Sequence, residues 1–158
     1  MEDTILYAAA FDANGVHVGD AAQTQFGLSL RYAPTKSSYI KLRGTSFSNY
    51  YSDFAPSSLR GENEGRESWK IPAYGIIDLH CGYKLNITKE SNLDFRLSVL
   101  NLLNTTYIAD AQNNHPYTRG AVSFNAPDGE NYQDFDAKSA GVYFGSLRRI
   151  NFSTTLTF

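Results

Sequence analysis

The chain has a single cysteine, a single tryptophan and a single methionine in 158 residues, and no run stays apolar for the roughly 18 residues a membrane-crossing helix needs. A helical membrane protein is therefore excluded. Cys81, being alone, allows neither an intrachain disulfide nor a cysteine-based metal cluster. The histidines, His17, His80 and His115, are scattered without ligand spacing, so no metal site and no cofactor are expected. There is no surplus of basic residues either: 14 Lys and Arg face 16 Asp and Glu, for a formal charge of -2. Nucleic acid is not an expected partner. The start, Met1-Glu2-Asp3-Thr4, has neither the basic nor the apolar region of an export signal.

What the chain has is aromatic residues, 14 % of the total, mostly Tyr (11) and Phe (10), set in stretches that alternate between apolar and polar. The stretch from Val142 to the terminal Phe158 is the most telling. From Ile150, one face of an extended strand takes Ile150, Phe152, Leu156 and Phe158, broken only by Thr154, and the other takes Asn151, Ser153, Thr155 and Thr157. In an outer-membrane β-barrel such a strand turns its apolar face to lipid and its last aromatic residue to the interface. Alternation of this kind halves the hydrophobicity of each strand and hides it from any average.

Four more stretches alternate. Phe26, Leu28, Leu30 and Tyr32 oppose Gln25, Gly27, Ser29 and Arg31; Ile40 and Leu42 oppose Lys41, Arg43 and Thr45, with the run passing through Phe47 into Tyr50-Tyr51. Ala73, Gly75, Ile77, Leu79, Cys81, Tyr83 and Leu85 oppose Tyr74, Ile76, Asp78, His80, Gly82 and Lys84, and Leu93, Phe95, Leu97 and Val99 oppose Asp94, Arg96 and Ser98. The period slips at Leu100-Asn101-Leu102-Leu103-Asn104, as at a bulge or a strand end. A further hairpin turn, of type I′, is expected at Asn14-Gly15 after a strand over Ile5 to Phe11.

The connections alternate too. Turns at 34–37 and 88–91 are short, whereas 52–71 and 109–139 are long and polar and read as exposed loops. With the C-terminus in the periplasm, the long loops fall outside the cell and the short turns inside, which is how outer-membrane barrels are built. Tyr32 and Tyr39, on either side of the first turn, suit an interfacial girdle. Arg31, Lys41 and Arg43 would then point into a wet lumen, as would Asp78 and His80, which share a face without an evident nucleophile. Arg148 would face lipid if the alternation ran back unbroken from Ile150, so a break is expected near Leu147 to Arg149. The acidic run Asp128, Glu130, Asp134 and Asp136 lacks the order of an EF-hand and reads as a solvated loop.

Four segments resemble the C-terminal barrel region of TonB-dependent outer-membrane receptors: Phe47 to Phe54, Pro72 to His80, Val99 to Ile108, and Gly141 to Gly145 running on to Phe158. The third is the most specific, because Asn101-Leu102-Leu103-Asn104-Thr105-Thr106-Tyr107 is similar to the Asn-Leu-Phe/Leu-Asn-x-x-Tyr segment of the family. The resemblance covers residues 21 to 158 and implies an all-β fold, an antiparallel up-and-down meander of five or six strands forming the C-terminal part of a transmembrane β-barrel. It implies a parent of about 22 strands around a plug, from which the plug and the remaining strands are missing here. Its further implications are a place in the outer membrane, import of an iron chelate, cobalamin or glycan, and no catalytic role. The partners it implies are outer-membrane lipid, the rest of the barrel and its plug, the barrel-assembly machinery, and TonB-type energy coupling through the missing N-terminal part. Phe152, Leu156 and Phe158 would form the barrel-assembly signal. The alternatives are a soluble β-sandwich ligand-binding module, a small self-contained barrel, which needs about eight strands, and an enzyme built on Asp78 and His80.

Overall fold

The computed structural model of the chain describes residues 12–54, 59, 64–112 and 140–158. Every regular element among them is a β-strand: β1 (Thr24–Thr35), β2 (Ser38–Ser48), β3 (Tyr50–Tyr51), β4 (Lys70–Ile71), β5 (Tyr74–Asn86), β6 (Asn92–Leu100), β7 (Ile108–Gln112), β8 (Gly141–Phe144) and β9 (Arg149–Thr157). The chain divides into two compact units.

The first unit, Gln23–Ser48, Ala73–Tyr107 and Phe144–Phe158, is an antiparallel five-stranded meander in the order β1-β2-β5-β6-β9. Its strands run from 9 to 13 residues, against the roughly 9–11 tilted residues that cross a bilayer. The turns at one end are short for local reasons. After β1, Thr35 Oγ1 lies 2.7 Å from Ser38 Oγ and accepts from the Ser37 N–H, closing the turn over Lys36-Ser37. After β5, Thr88 Oγ1 accepts from the Glu90 and Ser91 N–H groups. Threonine and serine hydroxyls stand in here for missing backbone partners. The β1–β2 register shifts between Tyr32 and Thr35, where Pro34 has no N–H to give to the ladder.

Because the register is in phase across all four pairings, the apolar faces of the strands join. One rung reads Leu30, Leu42, Leu79, Val99 and Ile150 across the sheet, and the next Ile40, Cys81, Leu97 and Phe152. No charged residue of these strands lies on this face. On the two border strands it is uncovered, Phe26, Leu30, Tyr32, Ile150 and Phe152 being 66–69 % exposed, whereas Val99 on β6 is buried; Phe95 and Phe152 stack with ring centres 6.3 Å apart.

The second unit comprises the described parts of Met1–Ala22, Asn49–Pro72 and Ile108–Tyr143. Here β3 pairs with β4, β7 with β8, and Asp53 bridges to Gln112. Leu59, Ile71 and Ala111 are fully buried, together with Ser52. This corrects the expectation of long solvated loops at 52–71 and at the start of 109–139. Strands of two residues have no period to read, and Leu59 is an isolated apolar residue in polar surroundings.

Three further expectations change. Tyr50-Tyr51 does not continue β2, because Asn49 takes φ 52° and turns the chain. The stretch from Val142 to Phe158 is not one strand: β8 ends at Phe144 and β9 begins at Arg149, which places the expected break at 145–148 and leaves Arg148 outside the strand. The turn at Asn14-Gly15 exists, with the Val16 N–H bonded to the Ala13 carbonyl at 3.2 Å. Only Gly15 has positive φ there, so it is not type I′, which requires it at both central residues. The strand expected over Ile5 to Phe11 lies outside the described residues.

Candidate functional site on the polar face of the sheet

All the charge of the five long strands is on the second face. Arg31, Lys41, Arg43, Lys84, Arg96 and Arg149 stand there against Asp78 and Asp94, six cations to two carboxylates in a chain whose formal charge is -2. Arg31 lies directly opposite Lys41, a like-charge pair that destabilises a sheet. The Arg31 guanidinium sits 4.5 Å from the centre of the Tyr39 ring, a contact worth about 0.5–1 kcal/mol at an exposed site. Tyr39 in turn covers Gly82, where an added Cβ would come within 2.1 Å of the ring. Tyr39 is thus on the polar face while Tyr32 is on the apolar one, so the two do not form a common girdle. On the apolar face near that end the exposed aromatic companion of Tyr32 is Tyr83.

At the other end of the sheet the polar face is built around Asn101. Residues 101–107 follow β6 and lie alongside the first residues of β5, with the Leu102 N–H on the Ile77 carbonyl at 2.7 Å. Asn101 is buried and takes φ 52°, a conformation asparagine tolerates better than most residues. Its N–H donates to Asp78 Oδ1 at 2.9 Å, its Oδ1 accepts from the Thr105 N–H at 2.8 Å, and its Nδ2 donates to the carbonyls of Thr105 (2.8 Å) and Ser146 (3.1 Å). Asn104, also at positive φ, accepts through Oδ1 from the Arg148 N–H at 2.9 Å. The two asparagines of the Asn-Leu-Leu-Asn run thereby tie the end of β6 to the approach to β9.

Beside this clamp stands a ladder of rings. Phe47 and Tyr74 stack at 4.9 Å, and Tyr74 and Tyr107 at 4.4 Å; Tyr107 also packs on Gly145, whose added Cβ would fall 2.0 Å from its ring. Clamp and ladder border an open hollow of about 330 Å³, lined among others by Arg43, Asp78, Asn101, Tyr107 and Arg149. Arg43 faces Asp78 across the β2–β5 ladder. Neither arginine side chain forms an ion pair among the described residues.

Asp78 and His80 do share this face. The structure adds a residue that the sequence reading missed: Ser98, opposite His80, with its Oγ 2.9 Å from His80 Nδ1. Only the register reveals that proximity, because the residues are 18 apart in sequence. Hydrolysis by such a pair needs a carboxylate to orient the ring, and the bond shown by Asp78 goes to Asn101 instead. The arrangement is that of a cross-strand polar pair.

The residues expected to carry an assembly signal lie away from this site. Phe152 and Leu156 are on the apolar face of β9, across from Leu97 and Leu93, and Phe158 is 93 % exposed just beyond the strand. In the second unit, His17 stacks on Tyr51 with ring centres 4.2 Å apart and pairs through Nδ1 with Glu67 Oε2. Partial burial pushes the Glu67 carboxyl up, but the His17 ring and the N–H groups of His17 and Ser68 outweigh this and hold it below the usual glutamate range. Asp20 moves the other way, raised by the charge of Asp53, then by burial and by Asp110. Among the described residues no three His, Cys, Asp or Glu side chains converge as metal ligands. His115 and the acidic run Asp128, Glu130, Asp134 and Asp136 lie outside the described residues.

No protein-family model, curated protein or solved structure matches this chain.

Proposed function

We propose that the chain is a wall segment of an outer-membrane barrel, the C-terminal part of a TonB-dependent receptor that imports a bulky nutrient. The observation that carries this reading is the uncharged, mainly apolar face shared by five strands, each long enough to cross a bilayer, with large side chains such as Phe26, Leu30, Ile150 and Phe152 exposed on it. A water-facing surface of that extent is a liability, whereas hydrocarbon is its natural neighbour. The connections support the reading, being short at one end of the sheet and long at the other. The Asn-Leu-Leu-Asn-Thr-Thr-Tyr run adds the family resemblance. In this reading the polar face lines the lumen beside the plug, and Phe152, Leu156 and Phe158 are what the assembly machinery binds.

The test compares two arginines placed side by side on β9. In flotation with phosphatidylcholine vesicles the full chain is expected to rise with the lipid. Phe152→Arg, on the apolar face, should sharply reduce that fraction, since an arginine facing hydrocarbon costs about 2–4 kcal/mol near the midplane. Ser153→Arg, on the other face, should leave it unchanged. A chain that stays a monomer in water without detergent and ignores vesicles would overturn the proposal.

A further inference from the structure

The hollow beside Asn101 has the make-up of a binding site rather than of an ordinary wet surface, for three reasons. First, two arginines from strands at different places in the sheet, Arg43 on β2 and Arg149 on β9, line one space of about 330 Å³. Neither has a carboxylate partner among the described residues. Second, the lining sets two arginines against a single carboxylate, Asp78, which accepts from the Asn101 N–H, so the formal charge of the lining is positive. Third, the walls are fixed beforehand. Asn101 is buried and bonded on every side-chain polar atom, and the Phe47–Tyr74–Tyr107 stack stiffens the aromatic wall. Arginine in such a frame recognises planar anions by paired N–H donors, and a pre-built wall lowers the ordering cost of binding.

We infer that this hollow is a carboxylate-binding site, with Arg43 and Arg149 as the two anchors and the Tyr107 side as its apolar wall. The carboxylate comes either from a small organic acid or from an acidic side chain of a polypeptide lying on the polar face. The inference deepens the lumen reading in that it assigns chemistry to a place on the lumenal wall.

The test uses the full chain in a neutral detergent, titrated separately with succinate and with a short capped peptide of glutamate and glycine. The readout is the Nε–Hε nuclear magnetic resonance signals of the arginines, assigned by substitution. Saturable shifts of the Arg43 and Arg149 signals are expected with at least one of the two probes. Arg43→Gln and Arg149→Gln should each weaken binding by about tenfold or more, the loss of one charge-assisted pair, while Arg96→Gln, on the same face but outside the hollow, should change it less than about twofold. Tighter binding of the peptide assigns the site to an acidic polypeptide; equal or tighter binding of succinate assigns it to a free acid. The backbone amide spectrum reports whether each variant folds. Should Arg43→Gln not fold, Arg43→Lys keeps the charge and loses the paired donors, and weaker binding by it is then the expected result. No saturable shift with either probe, or an equal loss in Arg96→Gln, overturns the site. Vesicle flotation separates the two readings. A chain that floats without binding loses only the site, and one that binds without floating keeps the site and loses the lumen.

Discussion

At position 101 backbone and side chain both depend on asparagine. Alanine there would leave the Thr105 N–H and the Thr105 and Ser146 carbonyls without the partners they now have, and would hold φ 52° without the local compensation that asparagine offers. We expect Asn101→Ala to cost about 2–4 kcal/mol, measured as a lowered midpoint of denaturant unfolding. Asn101→Gly should cost less by the backbone part alone, so the difference between the two isolates the strain. Gly82 makes a second prediction at this scale. An alanine Cβ would collide with the Tyr39 ring, so Gly82→Ala should destabilise by about 1–3 kcal/mol. Most of that loss should vanish in the background of Tyr39→Ala, as a double-mutant cycle would show. Equal losses in both backgrounds would mean that the cost of the added Cβ does not come from the Tyr39 ring.

Among the elements, the connecting segments of the second unit, which hold Asp20 and Glu67, carry the pH dependence. Glu67 is depressed in the folded state, so its stabilising contribution is present above the ordinary glutamate range and is lost as pH falls through the folded value. Asp20 is raised, so the folded form is favoured below the ordinary aspartate range and that advantage is lost as pH rises through the folded value. The two therefore oppose each other in the acid window, about pH 3 to 6. We expect Glu67→Gln to flatten the acid loss of protection at the Ser52 and Asp53 amides, which bond to Trp69 and Ala111, and Asp20→Asn to leave that loss in place or steepen it. Hydrogen exchange, corrected for the intrinsic rate at each pH, measures both. The long strands were legible in the sequence because their apolar positions recur every second residue over nine or more positions, enough to fix face and extent. β3, β4, β7 and β8 were not, because two to five residues give a period nothing to repeat over. Of the candidate site, Asp78, His80 and Arg43 were placed on the correct face by alternation alone. Arg149 and Ser98 became part of it only through register, which sequence does not state. The Asn-Leu-Leu-Asn run was conspicuous as a motif, but its physical role, two left-handed asparagines bonded to segments more than 40 residues away, requires coordinates.

For the molecule as a whole, the free borders of the sheet matter most. Among the described residues, β1 and β9 each present one side with no partner strand in the sheet, and an unpaired border inside hydrocarbon costs several kcal/mol for each unmet backbone group. In water the same borders are templates for association. Concentrated detergent-free samples of the chain are accordingly expected to form β-rich aggregates, followed by thioflavin fluorescence. A lysine pair at Leu28 and Leu30 on β1 should slow their growth several-fold, by charging the face beside one border. Growth that is indifferent to those lysines would place the contact elsewhere.

An odd strand count has an arithmetic consequence. In a meander of five, the first and last ribbons point the same way, so bending the sheet round to meet itself would produce a parallel seam. Any cylinder that keeps neighbours antiparallel throughout must interpose an odd number of further ribbons between Thr24–Thr35 and Arg149–Thr157. A supplement of one, three or seventeen satisfies that parity; a second copy supplies five, which also does, but only if it runs inverted so that each seam joins like borders.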